Sequence, residues 1–162
     1  MAAGTTYEPI ATTTLGSAAS SIDFTSISSA YTDLVVIVNG YYSGTTYGYF
    51  RLNGDSGANY SYTRIVGYSG GTLTDRSGVS DALSLGSSAS GTWIANIMSY
   101  SNTTTYKTII AREGQPQSGN SIGQYVYLWR STSAINQITL YGTGGNNFVA
   151  GTTATLYGIA AA

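Results

Sequence analysis

Along the chain, apolar residues come in strict alternation or in short unbroken runs, and no helix-period stretch stands out. Gly, Asn and Ser interrupt them at intervals typical of all-β folds. Residues 31–38 contain the run Leu34-Val35-Val36-Ile37-Val38, which reads as a strand buried on both faces. Residues 47–52 alternate, with Tyr47, Tyr49 and Arg51 on one side and Phe50 and Leu52 on the other. Asn53-Gly54-Asp55-Ser56-Gly57 then supplies a turn, and residues 60–68 the next strand. Glycines break up residues 69–91, where Leu83 and Leu85 suggest a short edge strand.

Residues 92–100 and 106–112 flank Asn102-Thr103-Thr104-Thr105 and suggest a hairpin. Residues 114–120 read as a loop carrying Pro116. In residues 125–130, Tyr125, Tyr127 and Trp129 share one face, and Val126 and Leu128 the other. Residues 135–141 and 153–159 are the last expected strands, and Val36 and Leu128 are both expected in the core. The pattern predicts an all-β, antiparallel, jelly-roll-like β-sandwich over residues 31–162. Residues 1–30 precede it as an extended N-terminal arm or as one or two short strands, with Ile10, Leu15, Ile22, Phe24 and Ile27 at strand-like spacing.

Composition narrows the chemistry. The 162 residues are 42% hydrophobic but 8% charged, with a formal net charge of −1. The chain therefore offers no basic surface for a nucleic-acid backbone. Without Cys there is no disulfide or thiolate metal site, and without His the commonest general base and metal ligand are missing. The polar positions are filled by 45 Ser and Thr and by 21 Gly, a neutral hydroxyl surface better suited to assembly than to a free monomer. No apolar run approaches the length of roughly 18 residues that spans a bilayer. The first residues lack the pattern of a signal peptide.

Candidate chemistry is sparse. Lys107, the single lysine available to activate a serine, reads as a solvated strand residue. The seven carboxylates, Glu8, Asp23, Asp33, Asp55, Asp75, Asp81 and Glu113, are scattered, and no pair is singled out. The Asn53 to Gly57 loop has oxygen ligands in calcium-loop style but no distal Glu, so a plain turn is the stronger reading. No catalytic residue, cofactor or metal site is expected, and the chain does not read as an enzyme. The tyrosines say more. Tyr41, Tyr42, Tyr47, Tyr49, Tyr60, Tyr62 and Tyr68 cluster in one third of the chain, and Tyr among Ser, Gly and Asn is the composition of adaptable recognition surfaces. These seven are the candidate partner-binding residues, set against the plainer role of packing a core with hydroxyls at its rim.

Several blocks carry a family pattern. They are Tyr7-Glu8-Pro9-Ile10-Ala11-Thr12, Leu15-Gly16-Ser17, Ile22-Asp23-Phe24-Thr25-Ser26-Ile27 and Tyr31-Thr32-Asp33-Leu34, followed by Arg51-Leu52-Asn53-Gly54-Asp55-Ser56-Gly57-Ala58-Asn59-Tyr60-Ser61. Ser101-Asn102-Thr103-Thr104-Thr105-Tyr106-Lys107, Trp129-Arg130-Ser131-Thr132-Ser133-Ala134-Ile135 and Leu156-Tyr157-Gly158-Ile159 come after them in order. Together they span nearly the whole chain and resemble a group of small structural proteins of tailed-bacteriophage virions.

The resemblance implies one of two stations. The first is a capsid decoration or cement protein on the outer capsid surface, a homotrimer bound to the major capsid protein, with contacts through strand edges, tyrosine patches and the N-terminal arm. The alternative is a tail-fibre or receptor-binding module that touches a host-surface carbohydrate or protein. Neither implies a nucleic-acid or membrane partner.

Overall fold

In the computed structural model, described over residues 6–40, 42–43, 48–80, 82–85, 91–115 and 121–160, twelve strands form two antiparallel sheets and no helix occurs among those residues. The strands are β1 (Tyr7–Thr14), β2 (Ser21–Phe24), β3 (Asp33–Gly40), β4 (Gly48–Leu52), β5 (Tyr60–Tyr68), β6 (Gly71–Ser80), β7 (Leu83–Ser84), β8 (Gly91–Ile97), β9 (Lys107–Gln115), β10 (Ser121–Trp129), β11 (Ile138–Gly142) and β12 (Thr153–Ile159). The large sheet has the order β1-β12-β3-β8-β9-β10-β5-β6, and the small one β2-β11-β4-β7. The chain crosses repeatedly between the two, which gives the sandwich its jelly-roll-like path. Near the start of the described residues, β1 (Tyr7–Thr14) pairs with β12 and β2 (Ser21–Phe24) with β11, one strand in each sheet.

Alternation decides which side chains meet between the sheets. β3 lies centrally between β12 and β8, and its inward Leu34, Val36 and Val38 are buried. On the outward face Val35 is 5% exposed, between its cross-strand partners Tyr157 and Asn96, but Ile37 is half-buried and Asn39 exposed, so the expected burial on both faces holds at Val35 and not along the whole run. On β10 the ring-bearing face turns inward. Tyr125, Tyr127 and Trp129 are buried, while Val126 and Leu128 point out. This corrects the expectation that Leu128 is a core residue, because three large rings bury far more area than two aliphatic side chains do.

The turn at Asn53 is pinned from several directions. Asn53 and Gly54 both adopt left-handed φ, 53° and 66°. Asn53 Oδ1 accepts from the backbone N–H of Asn136 and Gln137, and its Nδ2 donates to Ala134 O. Asp55 accepts from Gly57 N, Asn59 Nδ2 and the indole Nε1 of Trp129. Tyr60, stacked on Trp129 at 6.3 Å, accepts from Leu52 N and donates to Asp55 O. The carboxylate that could have suggested calcium is thus committed to hydrogen bonds inside the turn.

Two further expectations need correction. Lys107 is fully buried rather than solvated, its Nζ donating to Thr105 O and Thr132 O. Its inward position on β9 puts the stem among core residues, and the loss of water lowers its pKa. The long Gly71–Ser80 strand stands where only glycine-broken chain was expected. At the free edge of the large sheet, Pro9 removes a donor and a register shift follows between Pro9 and Ala11, which blunts β1 against edge-to-edge pairing.

Tyr42 illustrates how closely this core is fitted. Its ring packs 4.6 Å from that of Phe148 and lies over Gly48, where an added Cβ would run into the ring. Gly48→Ala is therefore expected to cost about 1–3 kcal/mol and lower the melting temperature by several degrees, read by thermal denaturation. An unchanged melting temperature would mean that the ring has room to move.

Candidate binding surfaces

The two sheets differ in width, and the difference creates a site. At its edge the small sheet ends in the two-residue β7, so the inner face of β5 and β6 extends beyond its cover. The inward positions of β5 there are Tyr62, Arg64 and Val66. Strand register sets Tyr62 opposite Ser77 and Arg64 opposite Asp75 on β6, and on the other side Tyr62 opposite Tyr127 and Arg64 opposite Tyr125 on β10.

Arg64 Nη2 lies 3.1 Å from Asp75 Oδ2, with the side chains 16% and 39% exposed. Tyr62 Oη donates to the same Asp75 oxygen at 3.3 Å, and the Arg64 guanidinium stands 5.5 Å from the Tyr62 ring centre. Behind them Tyr125 donates to Glu113 Oε1 at 2.5 Å, and Gln115 Nε2 donates to Oε2. Burial raises the Glu113 pKa above the usual carboxylate range, against the opposing pull of the Tyr125 hydroxyl and the Arg64 charge. Tyr127 stacks on Tyr125 at 5.5 Å and donates to Ser84 O, tying the pocket floor to β7.

Tyr62, Arg64, Ser77, Tyr125 and Tyr127 line a cavity of about 210 Å³, closed on its other side by Tyr49, Ser80, Ala82 and Ser84, while Asp75 and Glu113 join it only through their bonds to Arg64, Tyr62 and Tyr125. Its lining consists of tyrosine rings, serine and tyrosine hydroxyls and one guanidinium.

A second surface lies on the opposite face of the large sheet. Ile65, Ile110, Ile122 and Val126 all point outward and stand exposed, Ile122 by 70% and Val126 by 52%. Val126 sits opposite Ile110 on β9, and Gln124 opposite Ile65 on β5, so the side chains form one patch. Arg112 and Arg76 are exposed within it. Among the described residues of β5, β6, β9 and β10, no carboxylate shares that face.

The seven candidate tyrosines separate. Tyr49 and Tyr62 meet at the cavity, and Tyr68 is exposed beside the β5–β6 turn. Tyr42 and Tyr60 are core residues, a correction to their candidacy, because strand alternation and ring packing hold them inside. Tyr41 and Tyr47 lie outside the described residues. The sequence reading singled out neither the Arg64–Asp75 pair nor the outward isoleucines. A hairpin turn at Ser69-Gly70 could have revealed the pair, since β5 and β6 residues whose numbers sum to 139 then face each other.

No protein-family model matches this chain, and no curated protein matches its sequence. Among solved structures it is similar to galectins. Galectin LEC-6 of Caenorhabditis elegans is 11% identical, with a TM-score of 0.38 over 83% of this chain and 89% of that one. A toad ovary galectin in complex with thio-digalactose is 13% identical, with a TM-score of 0.41 over 84% and 98%. Congerin II with lactose and MES is 13% identical, with a TM-score of 0.39 over the same shares. At such scores the likeness carries no weight for what this chain binds, and the sandwich rests on its own strand pairing.

Proposed function

We propose that the chain is a structural protein of a tailed-phage virion, a decoration or cement protein that forms a homotrimer and docks on the assembled capsid shell. The observation that carries the reading is the outward patch of Ile65, Ile110, Ile122 and Val126, because exposed aliphatic side chains gathered on one sheet face mark an interaction surface. Arg76 and Arg112 within it favour a partner that presents carboxylates. A net charge of −1 lets copies crowd on a shell without strong mutual repulsion. The resemblance of the sequence blocks to small phage structural proteins favours the same reading.

Purified protein is expected to co-sediment with expanded empty capsids and to raise their melting temperature, since a ligand of the assembled state stabilises it by mass action. The Ile122→Lys, Val126→Lys double variant should keep its own melting temperature yet lose about 2 kcal/mol or more of binding. Failure of the wild type to bind, or equal binding by the variant, overturns the reading. The second reading, a receptor-binding module, has the cavity lined by Tyr49, Tyr62 and Arg64 in its favour and predicts that soluble protein coats host cells and blocks adsorption.

A further inference from the structure

We infer that the outward face of the large sheet docks on an extended segment of another protein, with two carboxylates about four residues apart, one for Arg112 and one for Arg76, and aliphatic side chains between them. The inference rests on the reading of this face as a docking surface and deepens it by fixing what the face selects. Exposed aliphatic side chains alone would accept any apolar partner. Two arginines at a fixed separation do not.

Strand register sets that separation. Arg112 of β9 stands opposite Gln124 of β10, which stands opposite Ile65 of β5. Arg76 of β6 belongs to the neighbouring row, opposite Thr63, and Thr63 in turn faces Val126. Three strand spacings of about 4.8 Å and one outward step of about 6.8 Å along the strands place the arginine Cα atoms about 16 Å apart. The line between them crosses β10 between Gln124 and Val126, and β5 between Ile65 and Thr63. A groove lies on each side of it. One, of about 390 Å³, is lined by Ile65, Thr72, Ile122 and Gln124 together with Arg112. The other, of about 510 Å³, is lined by Thr63, Thr108, Val126 and Leu128 together with Arg76. Glu113 also borders the first groove, but its carboxylate accepts from the hydroxyl of the buried Tyr125 on the inner side.

Charge chooses the occupant. Arg76 and Arg112 are exposed and have no paired carboxylate among the described residues, whereas Arg64 on the inner face is held by Asp75. A second copy of this chain presenting the same face would set arginine against arginine. Nor does the chain carry a matching segment. The only carboxylates within six residues of each other are Asp75 and Asp81, and Asp75 is engaged with Arg64 and Tyr62. The occupant is a different protein. Its backbone is extended, because four residues then span about 13 Å and the arginine side chains reach across the remainder. In a helix the same four residues rise only about 6 Å, too short to meet both arginines.

The test is titration of the intact ¹⁵N-labelled protein with the peptide acetyl-Ser-Glu-Val-Val-Val-Glu-Ser-amide, followed by amide shifts. Two controls are its isomer acetyl-Ser-Val-Glu-Glu-Val-Val-Ser-amide, with adjacent glutamates, and its glutamine analogue. Saturable binding of the spaced peptide with a Kd of about 1 mM, and shifts centred on Ile65, Gln124 and Val126, is the expected result. The adjacent isomer should bind about threefold more weakly and the glutamine analogue about tenfold. Arg76→Gln and Arg112→Gln should each bring the spaced peptide down to the affinity of the isomer, at an unchanged melting temperature because both side chains are exposed. No saturable shift on this face, equal affinity of the two isomers, or equal affinity of the glutamine analogue each overturns the inference. These comparisons alter the peptide alone and hold even if an arginine variant fails to fold. Capsid binding separates the two readings. Equal capsid binding by wild type and the Arg76→Gln, Arg112→Gln double variant would overturn the two-carboxylate inference and leave docking intact. Selective binding of the spaced peptide by a protein that binds no capsid would uphold the inference and overturn the capsid as partner.

Discussion

Val36→Asp is expected to yield no soluble folded protein, whereas Leu128→Asp is expected to fold normally. Val36 is 1% exposed and sits between Leu156 of β12 and Ala95 of β8, with no cationic partner among those neighbours. An uncompensated buried carboxylate costs about 3–5 kcal/mol. The lost burial of the valine side chain adds about 1.5–3 kcal/mol. Together these rival the roughly 5–15 kcal/mol that hold an ordinary domain together. Leu128 lies on the outward face between Ser61 and Thr108, where a carboxylate reaches water. Its replacement should cost about 1 kcal/mol or less. Soluble yield and circular-dichroism melting of both variants decide the matter. A cooperative melt for Val36→Asp, or collapse of Leu128→Asp, would reverse the assignment of faces.

The second large effect is expected at Asp55. Its removal as Asp55→Ala deprives the buried Trp129 indole N–H of its acceptor and releases Gly57 N and Asn59 from the turn. The loss amounts to about 3 kcal/mol. Partial burial pushes the Asp55 pKa up, but hydrogen bonds from Trp129, Asn59 and Gly57 and the Arg51 charge outweigh it and hold the carboxyl below its usual value. A folded-state pKa below the unfolded one means that the stabilisation is complete above the unfolded value, about 3.9, and is lost as pH falls through the folded one. Urea unfolding of wild type and Asp55→Ala between neutral and strongly acidic pH should therefore show a gap that narrows from about pH 4 downward. A gap that stays constant would mean that the charge of Asp55 contributes nothing.

Much of the frame was legible because burial imposes a period. The runs around Val36, Tyr60 and Leu156 announced strands that the structure contains as β3, β5 and β12. β6 was hidden because its inward residues, Leu73, Asp75 and Ser77, face a region the small sheet does not cover and so need not be apolar. Alternation in β10 revealed two faces but not which one was inside, since Tyr, Trp, Val and Leu can each serve a core. The cavity was invisible for a related reason. Arg64 and Asp75 are eleven residues apart and become neighbours only through the β5–β6 register, while clustering in sequence drew Tyr42 and Tyr60 into a surface they do not share.

The placement of β11 and β12 has a consequence in time. β12 lies between β1 and β3, and β11 between β2 and β4, so each of these early strands receives its neighbour only once residues 138–159 have been made. Thr14 and Thr153, which share a hydrogen bond, are 139 residues apart. Closing loops of that length carries an entropic cost that local contacts do not offset, so folding belongs to the slow, millisecond-to-second class. At translation rates of roughly 5–20 residues per second, β1 and β2 wait on the order of ten seconds for their partners. The sandwich therefore cannot close before β11 and β12 have been made, and the lag before it can join any larger assembly is set by those two strands.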